Sequence, residues 1–315
     1  MKKIYFLVNL LAGRATIGDK LGEIISEFNK SGFEVTVHVT QSGSDATEKA
    51  EYACLNGYDI LVCAGGDGTL SQCLQGAMKS SRRIPIGYIP AGSTNDFARS
   101  LNIPKSAMDA IKWITEGSPM SVDLGVFNDR YFTYIAAFGA FTNVTYETSQ
   151  QIKNIFGHAS YIVGGLTQLT SLRSKMMRIE YNNTVIEGEF IFGMVTNSGS
   201  VAGLLSMNDF LLDDGQFEVT LIKKPANLVQ LQKIVHSLLN ISEEIDREYI
   251  KFFRTDKITF TALNDEQITW TLDGEFGGDS PVNVVANHHN AIEFMVADRP
   301  EAILSSQDIK ESENQ

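Results

Sequence analysis

The segment that most constrains the fold of this chain is Gly65-Gly66-Asp67-Gly68-Thr69, which joins two apolar runs. The run Ile60 to Ala64 before it is typical of a buried strand, and the run Leu70 to Met78 after it has helical spacing. A strand that breaks into glycines and continues as a helix leaves backbone N–H groups unpaired at the helix N-terminus, where the helix dipole attracts negative charge. The segment therefore predicts a phosphate-binding turn, and an ordinary glycine-rich connection is the alternative.

The residue types in this turn favour a phosphate site. Three glycines let the main chain approach a phosphate closely. Asp67 would repel an anion, so we expect it to reach a magnesium ion, directly or through water.

Composition limits the class of protein. The chain has 315 residues, of which 43% are hydrophobic, which is enough for a sizeable core and favours two domains. Its formal charge of −12 argues against nucleic acid as the main partner, because phosphate backbones are held by clustered Lys and Arg. Cys54, Cys63 and Cys73 fit no zinc spacing and predict reduced, buried thiols in a cytoplasmic protein.

Periodicity along the chain predicts two domains. From Lys3 to Ile89, short apolar strands alternate with helical runs, which indicates an α/β domain with a parallel sheet. From Val126, short strands rich in aromatic and β-branched residues indicate an antiparallel sandwich or barrel, interrupted by helices over 152–172 and 228–239. We place the domains at 1–125 and 126–297, and leave open whether the tail 298–315 packs back on the first.

A second polar segment, Ser93-Thr94-Asn95-Asp96, follows the predicted strand Ile86 to Ile89. Its hydroxyl and amide side chains are also the usual N-caps of a helix, which is the alternative role. Neighbouring parallel strands end at the same edge of a sheet, so we expect Asp96 and Asp67 to share one crevice. Adjacent carboxylates repel unless a cation holds them, and a magnesium nucleotide would supply that cation.

Other candidates follow the same logic with weaker signals. The segment Asn9 to Gly13 ends the first predicted strand, and Thr40 ends the second. Asp123 marks the passage into the second domain and could equally be a turn residue.

Two carboxylates near the C-terminal end, Asp273 and Glu275, flank Gly274. Few basic residues lie beside them, and neighbouring negative charges raise one pKa, so either is a credible general base. A hairpin turn is the alternative, because Asp-Gly strongly favours one.

The segment Leu211 to Gln216 contains an Asp-Asp-Gly sequence. An EF-hand is excluded, because Phe210 and Leu212 would stand where oxygen ligands are required. One carboxylate at a turn with backbone carbonyls can still bind a structural magnesium, and a plain turn is the alternative.

Three segments together resemble the soluble bacterial diacylglycerol kinase family, which includes lipid kinases related to sphingosine kinases. They are Gly65 to Thr69, the segment Gly92-Ser93-Thr94-Asn95-Asp96-Phe97-Ala98-Arg99, and Leu272-Asp273-Gly274-Glu275. The first motif also occurs in NAD kinases and phosphofructokinases, so the second and third point to lipid kinases. Leu10 stands where many members have Pro, and Ser93 stands where Thr is usual.

The resemblance implies an ATP-binding α/β domain like that of NAD kinases and phosphofructokinases, a C-terminal β-sandwich that takes the lipid, and a cleft between them. It places Asp67, Asp96 and Asp123 in a magnesium-linked acidic network and Asp273 or Glu275 as the base. The structural magnesium ligands would be Leu211, Asp214 and Gln216, the first and last through main-chain oxygens. The predicted nucleotide-binding residues are Asn9, Leu10, Leu11, Ala12, Gly13, Thr40, Gly65, Gly66, Asp67, Gly68, Thr69, Leu70, Ser71, Ser93, Thr94 and Asn95.

The expected reaction is transfer of the γ-phosphoryl group of ATP to a lipid hydroxyl, with diacylglycerol as the acceptor and Mg²⁺ as the cofactor. A soluble-metabolite kinase of the NAD kinase type and a non-catalytic nucleotide- or lipid-binding protein are the alternatives. The acceptor lies in a membrane, so we expect the protein to associate with the membrane peripherally. The basic and apolar segment 151–178 is the candidate contact, with Arg14 as a further one. The alternative role of this segment is a core-facing helix with solvated charges. The sequence leaves open whether the chain forms a homodimer.

Overall fold

The structure, a computed structural model, describes residues 1–13, 17–139, 174–197, 211–239, 248–264 and 266–297. Its contacts divide the chain into two compact units. Among the described residues, the first unit contains those of Met1–Leu124 and Leu211–Asp214 and residues 288–297, and the second contains those of Gly125–Phe210 and Gly215–Asn287. The tail 298–315 lies outside the described residues. The chain therefore passes between the units at several points, and two short segments far along the sequence return to the first unit.

The first unit alternates strands and helices. Its elements are β1 (Lys2–Val8), α1 (Leu21–Lys30), β2 (Phe33–Val39), α2 (Gly43–Leu55), β3 (Ile60–Gly65), α3 (Asp67–Lys79), β4 (Ile86–Pro90), α4 (Asp96–Ser100), α5 (Ala107–Glu116) and the first part of β5 (Ser118–Phe127).

A parallel sheet forms the centre of this unit, in the order β2-β1-β3-β4. Every residue of β3 is buried, as expected for a central parallel strand covered on both faces. Helix α1 buries Ile24 and Phe28, which are four residues apart and therefore lie on one helix face. The ring of Phe28 packs edge-on against Phe6 of β1, with ring centroids 5.9 Å apart. The predicted α/β domain with a parallel sheet is confirmed.

The second unit is built from antiparallel strands. Its elements are the end of β5, β6 (Arg130–Phe132), β7 (Ile135–Gly139), β8 (Lys175–Tyr181), β9 (Thr184–Thr196), β10 (Phe217–Lys223), α6 (Leu228–Leu239), β11 (Ile250–Thr255), β12 (Lys257–Ala262), β13 (Ile268–Leu272), β14 (Glu275–Ser280) and the first part of β15 (Val282–Val296).

Strand β9 organises this unit. Its first half pairs with β8, and its second half lies between β7 and β10. Strand β7 continues to β13 and then to β14, while β8 continues to β12. These pairs are all antiparallel, as the β-rich pattern after Val126 predicts.

Aromatic side chains fill the core of the second unit. The ring of Trp270 lies 4.9 Å from the rings of Phe127, Phe138 and Phe260, measured between centroids. The side chain of Trp270 is fully buried. Tilted and edge-on contacts of this kind are favourable, so Trp270 fixes the packing of β13, the strand that precedes the Asp273 turn.

Most element boundaries agree with the sequence prediction, and one difference matters for the site. Helix α3 begins at Asp67 rather than at Leu70, so the predicted turn contributes its last three residues to a helix. The helix predicted over 228–239 is present as α6, whereas the one predicted over 152–172 lies outside the described residues.

Cys54, Cys63 and Cys73 are free and buried, as predicted. None of the described helices is both long and apolar enough to cross a bilayer.

Candidate active site

Polar and glycine-rich segments meet at the carboxyl edge of the parallel sheet in the first unit. Backbone N–H groups just past the strand ends continue the sheet pairing: Asn9 donates to the carbonyl of Ala64 at 2.9 Å and Ala91 to that of Gly65 at 2.8 Å. Thr40 donates to the carbonyl of Val8 at 3.0 Å. The structure therefore brings Asn9, Thr40, the Gly65 turn and the Ala91 segment to one edge, as the sequence predicts.

The Gly65 turn presents a helix N-terminus at this edge. Gly66 is the N-cap residue of α3, in an extended conformation, and no side chain caps it. The N–H of Leu70 bonds to the carbonyl of Gly66 at 3.0 Å, which is the first turn of the helix. The N–H groups of Asp67, Gly68 and Thr69 precede that bond, so they are the ones an anion can use.

Close contacts between main chains explain the glycines at this edge. A Cβ on Gly92 would lie 2.5 Å from the Cα of Gly66, and one on Gly13 would lie 2.3 Å from the carbonyl oxygen of Ala91. Gly13 also has a φ of +57°. Any side chain at Gly92 would push two loops apart, because a Cβ does not fit at such distances. We call the segments 65–69 and 91–95 the first and second glycine loops.

Asp67 joins the two glycine loops. Its Oδ2 accepts a hydrogen bond from the hydroxyl of Thr94 at 3.0 Å, and its Oδ1 accepts one from the N–H of Phe97 at 3.4 Å. Phe97 is the second residue of α4, so Asp67 supplies the capping oxygen that the sequence assigned to Ser93, Thr94 or Asn95 as an alternative. Thr94 thus orients Asp67.

Asn9 and Asn95 hold the loops in shape. The side-chain amide of Asn9 donates to the hydroxyl of Thr69 at 3.0 Å, while its oxygen accepts from the N–H of Leu11 at 3.0 Å. Asn95 has a left-handed conformation, with a φ of +52°. Its oxygen accepts from the N–H of Gly92 at 2.9 Å, and its nitrogen donates to the carbonyl of Gly92 at 2.8 Å.

The remaining predicted nucleotide-binding residues differ in exposure. Leu11 is 89% exposed, and Ser93 is exposed on the second glycine loop. The side chain of Leu70 is only 1% exposed, so only its backbone lies near the loop surface. The others, Leu10, Ala12, Gly68 and Ser71, are half-buried.

Tyr88 lies beneath both glycine loops and was missed by the sequence analysis. It is 1% exposed, and its hydroxyl donates to the carbonyl of Gly65 at 3.2 Å and contacts the side-chain oxygen of Asn95 at 3.4 Å. Burial raises the pKa of Tyr88 well above its ordinary value, and the charges of Asp67 and Asp96 add to that rise.

Asp96 and Asp123 have different partners. Asp96 forms an ion pair with Arg99, with a distance of 3.5 Å between Oδ1 and Nη1. Asp123 lies within strand β5 and is fully buried, so the alternative of a turn residue is wrong. Its Oδ1 accepts from Nδ1 of His289 at 2.9 Å and from the N–H of Asn290 at 2.7 Å.

The predicted structural magnesium segment is a turn near Asp123. The N–H of Asp123 donates to the carbonyl of Leu212 at 2.7 Å, which fixes the start of this turn. Gly215 has a φ of +75°, and the amide of Gln216 donates to its carbonyl at 3.2 Å. Among the described residues, no cluster of three or more His, Cys, Asp or Glu side chains is close enough to enclose a metal ion.

In the second unit, Asp273 and Gly274 form the turn of the β13–β14 hairpin. Both have positive φ values, +50° and +86°, and Leu272 pairs with Glu275 across the turn. This is the hairpin that the Asp-Gly pair predicts, with φ positive at both central residues.

The Asp273 carboxylate is saturated with hydrogen bonds. Its Oδ2 accepts from the N–H and the hydroxyl of Thr133 at 2.7 and 2.9 Å. Its Oδ1 accepts from the N–H groups of Tyr134 and Ile135 at 3.0 and 3.1 Å. Burial raises the pKa of Asp273 from 3.8 to about 6, although these hydrogen bonds oppose the rise. Glu275, two residues later, is exposed.

Family models match both units. The model described as "Diacylglycerol kinase catalytic domain" matches residues 3–127. The model described as "YegS C-terminal NAD kinase beta sandwich-like domain" matches residues 136–296.

Curated relatives cover nearly the whole chain. A diacylglycerol kinase of Staphylococcus carnosus (strain TM300) is 34% identical over 283 residues, which is 90% of this chain and 91% of the relative. A diacylglycerol kinase of Staphylococcus aureus (strain bovine RF122 / ET3-1) is also 34% identical over 283 residues, covering 90% of this chain and 89% of the relative. A crystal structure of a diacylglycerol kinase from Bacillus anthracis str. Sterne has the same fold, with a TM-score of 0.73 and 20% identity over 96% of this chain and 98% of that chain.

The family models, the curated relatives and the shared fold agree with the three motifs and with the meeting of the glycine loops at the sheet edge. The chain belongs to the diacylglycerol kinase family and is a kinase.

Proposed function

We propose that this kinase transfers the γ-phosphoryl group of ATP to the free hydroxyl of diacylglycerol and so makes phosphatidic acid, with Mg²⁺ as the cofactor. The names of the curated relatives support diacylglycerol as the acceptor. The observation that carries the nucleotide half of the proposal is the contact between the two glycine loops at the N-terminus of α3, where a Cβ on Gly92 would lie 2.5 Å from Gly66.

Nucleotide binding would use backbone groups of these loops. The N–H groups of Asp67, Gly68 and Thr69 face the position that a phosphate takes at a helix N-terminus. Asn95 has both ends of its amide bonded to Gly92, so we assign it the role of shaping the second glycine loop. Ser93 is exposed and remains available for a phosphate or ribose contact.

The donor set of this edge fits a nucleotide-bound magnesium. Mg²⁺ in kinases is usually held by one or two carboxylates together with substrate phosphates, so the lack of an enclosed acidic cluster among the described residues is no obstacle. Asp67 would hold it directly or through water, with Asp96 and Asp123 in the surrounding acidic network. When bound, the ion neutralises charge on the transferring phosphoryl group.

The proton of the acceptor hydroxyl needs a base, and we assign that role to Glu275. A carboxylate offers about four lone-pair positions, and Asp273 uses four in contacts with Thr133, Tyr134 and Ile135. Accepting another proton would therefore displace one of these donors. Glu275 is exposed and begins β14 directly after the turn, so a substrate can reach it.

Asp273 then acts as a positioning residue. Its bonds connect the β13–β14 turn to the segment between β6 and β7, about 140 residues earlier in the chain, as the sequence separations of these contacts show. A carboxylate held by three backbone N–H groups fixes the direction in which the turn points and therefore the starting point of Glu275.

A structural magnesium at the turn of Leu211, Asp214 and Gln216 is a separate part of the proposal. Its support is the tight turn at Gly215 and the carbonyl-rich backbone beside a carboxylate.

We also propose that the kinase works peripherally at the cytoplasmic face of a membrane. Lys175 and Arg178 already pair with Glu266 and Glu180, so a basic membrane contact would depend on residues 151–173, outside the described part of the chain.

The test is a phosphorylation assay with labelled ATP and Mg²⁺. The acceptors are diacylglycerol in mixed micelles, a total lipid extract, and NAD. Labelled phosphatidic acid supports the proposal, whereas a different labelled lipid would keep the kinase and change its acceptor. Labelling of NAD alone would contradict the proposal and establish a soluble-metabolite kinase.

A matched pair of variants tests the base. We compare Glu275→Gln with Asp279→Asn, an exposed carboxylate on the same strand. Loss of turnover in the first variant only would support Glu275, and equal turnover in both would refute it.

A further inference from the structure

Tyr88 is a buried hydroxyl between the two glycine loops. It lies in β4, two residues before the strand ends, and faces Cys63 of β3 in the sheet register. Its ring is 1% exposed. Its single proton is shared between two acceptors, the Gly65 carbonyl at 3.2 Å and the Asn95 side-chain oxygen at 3.4 Å. One acceptor belongs to each glycine loop.

Neither acceptor needs this hydroxyl to avoid being left unpaired. The Gly65 carbonyl also accepts from the N–H of Ala91 at 2.8 Å, and the Asn95 oxygen also accepts from the N–H of Gly92 at 2.9 Å. Burying a hydroxyl costs free energy unless it is hydrogen-bonded, and a phenylalanine would fill the same space without that cost. The hydroxyl therefore adds a connection between the loops beyond what folding of the strand requires.

We propose that Tyr88 is a positioning residue whose hydroxyl fixes the separation of the two glycine loops and so prepares them for the phosphates of the nucleotide. This inference rests on the nucleotide site of the proposed function. The high pKa of Tyr88, caused mainly by burial, keeps the hydroxyl protonated at every working pH. The hydroxyl can therefore donate to the glycine loops at any working pH.

The test is nucleotide affinity, measured by titration calorimetry with a non-hydrolysable ATP analogue and Mg²⁺. Tyr88→Phe is expected to raise the Kd about three- to tenfold, which corresponds to the loss of one hydrogen bond from a pre-formed site. In steady-state assays we expect the KM for ATP to rise by the same factor, with kcat within twofold and the KM for lipid unchanged. A purely structural role of Tyr88 would not raise the KM for ATP while leaving kcat and the KM for lipid nearly unchanged.

The matched control is Tyr5→Phe. Tyr5 is buried in β1, which β3 separates from β4 in the same sheet, and its ring packs against Tyr52 and Tyr58. Equal weakening of nucleotide binding in both variants would refute the inference, and so would an unchanged Kd in Tyr88→Phe.

Hydrogen exchange followed by mass spectrometry gives a second measurement that does not depend on catalysis. In the nucleotide-free Tyr88→Phe variant, we expect faster exchange in segments 65–69 and 91–96 and unchanged exchange elsewhere. Uniformly faster exchange would contradict a local role. Lipid labelling by the unaltered protein tests the proposed function separately, so the inference can hold even if the acceptor is not diacylglycerol.

Discussion

Replacing Asp273 with Asn should change how the stability of the second unit depends on pH. The pKa of Asp273 is raised from 3.8 to about 6 by burial, so the folded protein holds this proton more tightly than the unfolded chain does. Stabilisation from this group is therefore complete below pH 4 and is lost as the pH rises towards 6. In Asp273→Asn the side chain does not titrate, so this loss with rising pH is absent.

The raised pKa sets the size of the effect. A shift from 3.8 to about 6 corresponds to about 3 kcal/mol in the free energy of unfolding. The asparagine side chain keeps one oxygen for the N–H groups of Tyr134 and Ile135 and turns its NH₂ group towards the N–H of Thr133, as the hydroxyl of a protonated carboxyl group would. At pH 4, where the unaltered protein holds the proton, the two proteins should therefore be nearly equally stable. At pH 8 the unaltered protein carries a buried charge, so the variant should be about 2–3 kcal/mol more stable.

Urea unfolding followed by tryptophan fluorescence measures this difference. Trp270 lies in the core of the second unit, three residues before Asp273, and Trp113 lies in α5 of the first unit. A Trp113→Phe background makes Trp270 the only reporter. Unfolding free energies are then compared between pH 4 and pH 8, with and without Asp273→Asn.

Two results would refute this reasoning. Parallel stability curves for the two proteins would mean that Asp273 has no raised pKa in the folded state. A stability advantage of the unaltered protein that grows with rising pH would mean that the four hydrogen bonds outweigh burial and lower the pKa instead. Asp279→Asn, on the exposed part of β14, is the control and should leave the pH dependence unchanged.

Three further predictions concern the proposed chemistry. Gly92→Ala should raise the KM for ATP at least tenfold in steady-state kinetics, because the added Cβ forces the two glycine loops apart. Gly22→Ala is the control and should leave the kinetics unchanged, because nothing lies within 4 Å of a Cβ at that position. Equal kinetics in the two variants would contradict the close contact between the loops. Glu275→Gln should lower kcat by a factor of about 10²–10⁴ without changing the melting temperature, and Asp279→Asn is its control. Full turnover in Glu275→Gln would show that Glu275 is not the base. Asp214→Ala should lower the melting temperature in Mg²⁺ by a few degrees and abolish its magnesium dependence, and an unchanged metal response would end the structural magnesium proposal.

The fold of the first unit was predictable because its signals are local. Strand β3 is a continuous apolar run, and glycines interrupt it where the helix must begin. Parallel strands all end at one edge, so the nearness of Asn9, Thr40 and the two glycine loops follows from the strand order alone. The helix start was misplaced by three residues, because Asp67, Gly68 and Thr69 resemble a loop in composition while their backbone is already helical.

Contacts between distant residues could not be predicted in the same way. His289 bonds to Asp123 across 166 positions of sequence, and no local pattern pairs a histidine in a polar run with a buried aspartate in a strand. Tyr88 gives no signal either, because one tyrosine in an apolar strand is ordinary core composition. Its role becomes visible only when Gly65 and Asn95 are placed on either side of its hydroxyl.

The Asp273 hairpin illustrates why the sequence left two roles open. The pair Asp-Gly predicts a turn, and two carboxylates around a glycine predict a base, so the same residues support both readings. The deciding fact is the supply of donors from Thr133, Tyr134 and Ile135, which lie far away in the chain. Those donors occupy Asp273, which forms the turn, and this is why we propose the exposed Glu275 as the base. Thr133→Val would remove only the hydroxyl donor and leave the three backbone N–H groups in place, so the two carboxylates must be tested by separate substitutions at Asp273 and Glu275.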